Sequence, residues 1–173
     1  MAMDIVRMEL GRLGAGALRM VDQSLRVVLD GSDEELNSLA RMDADVDRLH
    51  GAIVTYLGRL SQEDLSDEQS SQLHHYLAAA NYIESIADVV ETNLVESGNL
   101  RFHSKLQVSE STRRLLSELH AEVQENVEKA VRGLVENDTE AAGEVIAAKG
   151  LVSQRADAAE VHLSRRLAAD EPN

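Results

Sequence analysis

The chain carries a single proline, at position 172, so no proline interrupts residues 1–171. Proline breaks helices and marks turns, and its absence over such a length favours long helices. Apolar residues also recur at spacings of three and four, the pattern of a helix with one buried face. We therefore predict an all-α fold, an antiparallel helical bundle of about five long helices.

Capping signals predict where these helices begin. Ser32 is followed by three acidic residues, and Ser66 is followed at the third position by Gln69, which is the pattern of a capping box. Asn137, Asp138 and Thr139 form the last of these signals. Gly31 ends the first predicted helix, and the run Ser97-Gly98-Asn99 is expected to break the third. The predicted helices cover about residues 3–30, 33–60, 67–95, 109–136 and 140–168.

A weak internal repeat divides the predicted bundle. At an offset of about 106 residues, the apolar positions of predicted helices four and five fall on those of helices one and two, with Val127 on Val21 and Val145 on Leu39. We predict a three-helix repeat over residues 3–97, a degenerate second repeat of two helices over residues 104–169, and a disordered tail over residues 170–173.

The charge of the chain excludes several classes of function. With 17 Lys and Arg against 31 Asp and Glu, the net charge is −14, which repels nucleic acids and anionic lipids. No apolar run approaches the ~20 residues that cross a bilayer, and the first residues lack the basic and apolar regions of a signal peptide. There is no cysteine. We expect a cytoplasmic protein without nucleic-acid binding or membrane insertion.

Two acidic pairs carry the main chemical signal. Asp43 and Asp47 lie four residues apart in predicted helix two, as do Glu84 and Asp88 in predicted helix three, so each pair shares a helix face. In the hairpin that these helices form, the two pairs differ in height by only about 5 Å. The four carboxylates are therefore predicted to converge, with Asn81 one turn away as an additional oxygen ligand.

An all-oxygen site suits a hard cation such as magnesium, manganese, calcium or iron(III). The alternative is a solvated acidic face with Arg41 and Arg48 as ion-pair partners. The six histidines are scattered or adjacent, as at His74 and His75, and do not form a helical zinc site. No nucleophile or nucleotide-binding motif is present, so we expect a non-catalytic protein.

The segment from Asn81 to Leu94, NYIESIADVVETNL, resembles the third-helix signature of PhoU domains, and the segment from Arg41 to Leu49, RMDADVDRL, resembles their second-helix motif. The segments ELGRLGAGALRM and YLGRLSQ are similar to the PhoU-like cytoplasmic domain that ends bacterial sodium/phosphate cotransporters. The resemblance covers about residues 5–94.

The resemblance implies a bundle of three-helix repeats that regulates phosphate transport, with Asp43, Asp47, Glu84 and Asp88 as metal ligands. It also implies a location at the inner face of the plasma membrane and a partner, either the membrane portion of a phosphate transporter or a phosphate-signalling protein. Ser85 and Ala87 depart from the family pattern, and Lys149 and Ser153 replace the acidic pair in predicted helix five, so one metal site is expected. A carboxylate-metal enzyme and a metal-free dimerising module remain the alternatives.

The second repeat lacks the helix that would cover its apolar stripe. We therefore expect a homodimer, or an exposed apolar patch along predicted helices four and five, away from the acidic pairs.

Overall fold

The computed structural model describes residues 2–168 and confirms the all-α fold, with helices joined by turns and short irregular links in this range. The predicted tail at residues 170–173 lies outside the described residues. The helical segments form five successive rods. The second rod contains two segments, the third contains three, and each of the others is a single helix. The segments are α1 (Ala2–Asp30), α2 (Asp33–Arg41), α3 (Asp43–Leu60), α4 (Asp67–Asp88), a π-helical segment (Val89–Leu94), α5 (Val95–Ser104), α6 (Glu110–Glu136) and α7 (Thr139–Ala168).

The predicted capping signals are confirmed. The Ser32 hydroxyl accepts the backbone N–H of Glu35, whose carboxylate accepts the N–H of Ser32, and Ser66 forms the same reciprocal pair with Gln69. At the last turn, Asn137 adopts a left-handed backbone conformation with φ 55°. The Asp138 carboxylate then accepts the first free N–H groups of α7. These side chains satisfy backbone donors that a helix start leaves unpaired.

The predicted break at Ser97-Gly98-Asn99 is wrong, because α5 runs through these residues and ends at Ser104. Gly98 is buried where α5 packs against both α1 and α2. A Cβ atom at this position would overlap Leu36 Cδ2 and lie 3.3 Å from Val28 Cα. Gly98 therefore allows close packing, and the helix ends instead where Lys105 adopts a left-handed conformation with φ 52°.

Two local distortions interrupt rods that the sequence predicts as continuous. At Met42 a single turn residue separates α2 from α3, and its N–H bonds to Leu39 O, three residues back, instead of four. After Asp88 the ladder widens into the π-helical segment, where the Thr92 hydroxyl donates to Asp88 O at 2.6 Å. A hydroxyl that bonds into the backbone ladder, as that of Thr92 does, distorts a helix in this way.

The core surrounds α1. Leu10, Leu13, Ala17 and Met20 have no exposed surface, and they pack with apolar side chains of α2 to α5. In the described part of the chain, α6 buries only Thr112 and α7 buries only Ala141 and Ala159. Most of the apolar core thus belongs to the first three rods.

Helix α6 attaches to α1 by close packing and by polar contacts. Cβ atoms at Gly11 and Gly14 would come within 3 Å of Val135 and Val131. At the other end of the contact, His120 Nε2 donates to Val21 O at 2.8 Å. These glycines lower the helix propensity of α1, but they allow α6 to pack closely against it. Helix α7 packs along α6 and makes no extensive contact with another described helix.

Candidate metal centre

The site is built from the face that α3 turns toward α4. Helix α3 starts at Asp43, immediately after the break at Met42, and Asp47 follows one turn later. Asp43 is 8 % exposed, and its Oδ1 has no hydrogen-bond partner. An ionised carboxylate that is buried without a partner is unfavourable, because it has lost its hydration. Asp43 is therefore the feature of this site that calls for a ligand.

Asp43 is under the influence of carboxylates from both sides of the α3–α4 hairpin. The pKa of its carboxyl group is raised to about 6, first by burial and then by the negative charges of Asp47, Asp88, Glu91 and Glu84, in that order. A like charge acts in this way only from nearby. Asp47, Asp88 and Glu84, the other three predicted ligands, thus lie near enough to Asp43 for their charges to act on it.

Glu91 is an acidic neighbour that the sequence analysis missed. It lies in the π-helical segment, three residues after Asp88 and seven after Glu84. In a regular helix, positions i, i+4 and i+7 share a face, so this spacing was a signal that could have identified it. Glu91 is half-buried, whereas Asp47 and Asp88 are exposed.

Asn81 and His50 close one edge of the acidic group. His50 lies one turn after Asp47 on α3, and its Nε2 is 2.9 Å from Asn81 Oδ1 on α4. The amide oxygen that the sequence suggests as a further ligand is therefore already engaged in a bond between the two helices. This contact links α3 to α4 beside the carboxylates.

The residues have the right ligand chemistry for a hard cation, but their side chains are too far apart in this structure to bind one together. Carboxylate oxygens are the ligands that such cations prefer, and the unpaired Asp43 Oδ1 supplies a buried one. Within residues 2–168, however, no three His, Cys, Asp or Glu side chains are close enough together to hold a metal ion. Binding would require new rotamers of the exposed carboxylates, which are free to rotate at the surface. The metal assignment of Asp43, Asp47, Glu84 and Asp88 stays a prediction.

The other residues singled out from the sequence lie away from this site. Lys149 and Ser153 are exposed on α7. His74 Nδ1 bonds to Ser70 O in its own helix, and its neighbour His75 is exposed. The absence of a second metal site on α7 also stays a prediction.

Known proteins are similar to this chain in the region of the site. Residues 10–93 match the model of the PhoU domain, and this range contains all the carboxylates described above. A Salmonella typhimurium protein, named "Putative inorganic phosphate export protein YjbB", is 25% identical over 134 residues. The match covers 78% of this chain, and the chain spans about a quarter of the relative, 24% of its length. No solved structure matches the chain significantly. No described helix is both long and apolar enough to cross a membrane.

Proposed function

We propose that the chain is a PhoU-type regulatory domain of phosphate transport, without catalytic activity of its own. The observation that carries this proposal is the match of residues 10–93 to the PhoU domain, because the matched segment contains the acidic pairs on α3 and α4. The printed name of the Salmonella relative, which concerns phosphate export, supports the same process. The all-helical fold is compatible with this function but does not specify it.

In the more specific form of the proposal, the chain is the cytoplasmic part of a sodium-dependent phosphate cotransporter and contacts its membrane portion. The similarity of α1 and of the segment YLGRLSQ to such domains supports this form. The relative's name concerns export rather than uptake, and measuring phosphate flux in both directions distinguishes the two.

A hard cation held by Asp43, Asp47, Glu84 and Asp88 completes the proposal, with Glu91 as a further oxygen donor. When bound, the ion would supply positive charge to a group of carboxylates that repel one another. Because the donors come from both α3 and α4, the chain's own residues would then join the two helices at this level. Metal binding would in this way increase the stability of the hairpin formed by α3 and α4.

Thermal denaturation tests the metal site. Manganese or magnesium at about 100 times its dissociation constant should stabilise the native chain by about 2.7 kcal/mol, or roughly 5–10 °C in Tm. The Asp43→Asn/Asp88→Asn variant should lose this gain. The control is Asp45→Asn/Asp64→Asn, which removes the same charge from two exposed positions outside the group. Equal shifts in all three proteins would mean that the ion binds elsewhere.

Phosphate flux tests the regulatory function. We expect deletion of the coding sequence in its host to change the rate of labelled phosphate uptake or efflux, and the native chain to restore the original rate. The Asp43→Asn/Asp88→Asn variant should fail to restore it, whereas Asp45→Asn/Asp64→Asn should succeed. Unchanged flux after deletion would reject the phosphate proposal while leaving a measured metal site intact.

A further inference from the structure

An apolar groove runs between α4, α6 and α7, on the side of the molecule away from the acidic pairs. It consists of two adjoining cavities of about 380 and 470 Å³, which share Ala130, Leu134 and Val145. Along α4 its lining extends from Gln72 to Ile86, and along α6 from Val123 to Asn137, the residue that follows the end of the helix. Each wall spans 15 residues, so its end residues are about 21 Å apart at a rise of ~1.5 Å per residue. The groove is therefore long enough for about four turns of a helix.

The groove contains no charged lining residue among those described, in a chain of net charge −14. On α4, residues 69–83 include no Asp, Glu, Lys or Arg. Large apolar side chains stand at the rims, with Tyr82 74% exposed on α4 and Ile146 77% exposed on α7. A surface without charged groups does not repel an acidic protein, and exposed apolar patches of this kind mark interaction sites.

Helix α7 supplies an apolar element of the right kind for such a groove. It packs on α6 and leaves Ile146, Leu151 and Val161 about half or more exposed. Its flank beside the groove includes Ala142 and Ile146. One molecule therefore carries both an open apolar groove and, at the groove's edge, an exposed apolar helix flank.

We propose that this groove is the interface between two copies of the chain, related by a two-fold axis. The α7 flank around Ile146 of each copy packs against the α4 wall around Tyr82 of the other. A two-fold interface requires that one patch contain both complementary surfaces, and this patch does. Two copies of net charge −14 also repel each other least where their contact surfaces are uncharged.

The proposed interface leaves the acidic pairs accessible. Tyr82, on the groove side of α4, is two positions from Glu84, which places the two side chains about 200° apart around the helix. Glu84 and Asp88 are absent from the lining of both cavities. Self-association is therefore independent of metal binding, and failure of either proposal leaves the other standing.

Sedimentation equilibrium over a concentration series tests the interface. The native 173-residue chain should form dimers, and Tyr82→Glu/Ile146→Glu should weaken them at least tenfold. Both positions are exposed, so the monomer should keep its fold, which circular dichroism checks. The control is Met8→Glu/Leu100→Glu, which adds the same charge at positions 66% and 64% exposed outside the groove. A native chain that is monomeric throughout, or dimers weakened equally by both variants, would overturn the proposal.

A cross-linking measurement locates the contact directly. The chain has no cysteine, so each introduced thiol is unique. Under mild oxidation, a mixture of Tyr82→Cys and Ile146→Cys chains should form a disulfide between the two positions. A mixture of Tyr82→Cys with Leu100→Cys should not. Equal cross-linking in both mixtures would show that the copies meet without the proposed arrangement.

Discussion

At the scale of single residues, Asp43 is a position where the fold buries a carboxylate at a cost in stability. A carboxylate was placed at the buried start of α3, among four others, and one of its oxygens was left without a partner. From pair spacing and helix height alone, the sequence predicted that acidic residues of the two helices lie at similar levels of the hairpin. It did not predict the burial of Asp43, because burial depends on how α3 is rotated after the break at Met42. Nor did it predict the His50–Asn81 contact, which depends on the same rotation.

Asp43 should make the metal-free chain less stable as the pH rises. The pKa of its carboxyl group is about 6 in the folded chain against 3.8 as the reference value, so the folded state binds the proton more tightly. Its contribution to stability is therefore greatest at low pH and is lost as the pH rises through about 6. Fully ionised, the carboxylate costs about 3 kcal/mol.

Urea unfolding in EDTA at about pH 5 and about pH 7.5 measures this cost. Relative to Asp43→Asn, the native chain should lose about 1 to 2 kcal/mol between the two pH values. Asp45→Asn, at an exposed position of the same helix, should follow the native chain. Parallel pH profiles for the native chain and Asp43→Asn would show that Asp43 ionises without cost.

At the scale of helices, the boundaries that depend on capping chemistry were predictable and the internal distortions were not. Ser32, Ser66 and Asp138 cap the starts of their helices through hydrogen bonds to residues two or three positions away, so the sequence pattern alone predicts them. Gly98 is the opposite case. A glycine is needed there because the helix packs closely against Leu36, which is distant in sequence. The π-helical segment likewise has no proline or glycine to signal it.

Substitution of Gly98 should separate its packing role from its helix propensity. Alanine is intrinsically the better helix former by about 1 kcal/mol. At Gly98 its Cβ would overlap fully buried Leu36, and we expect a net loss of roughly 1 kcal/mol or more, because overpacking costs about 1–3 kcal/mol. At Gly51, where a Cβ meets nothing within 4 Å, the same change should stabilise the chain by up to about 1 kcal/mol. Denaturant unfolding of both variants decides; a stabilised Gly98→Ala would contradict the packing argument.

At the scale of the whole molecule, stability should be unevenly distributed. The fully buried side chains cluster around α1, whereas α7 buries two alanines and is held to α6 partly by ion pairs. Lys129 Nζ lies 2.9 Å from Glu144 Oε2, and Arg155 Nε lies 2.9 Å from Glu122 Oε1. Surface pairs of this kind contribute about 0–1 kcal/mol each. In the monomer, α7 should therefore open without unfolding the rest.

Native-state hydrogen exchange should reveal this difference, provided that α7 is not covered by a second copy. We therefore choose the Tyr82→Glu/Ile146→Glu variant, in which the proposed interface is disrupted. The amides of α7 should exchange through local opening several kcal/mol below the global free energy of unfolding, and those around Leu10 to Met20 of α1 only at the global value. In the native chain at concentrations where it dimerises, protection of α7 should rise while that of α1 changes little. Equal protection of α7 and α1 in the variant would show that α6 alone holds α7 as firmly as the core holds α1.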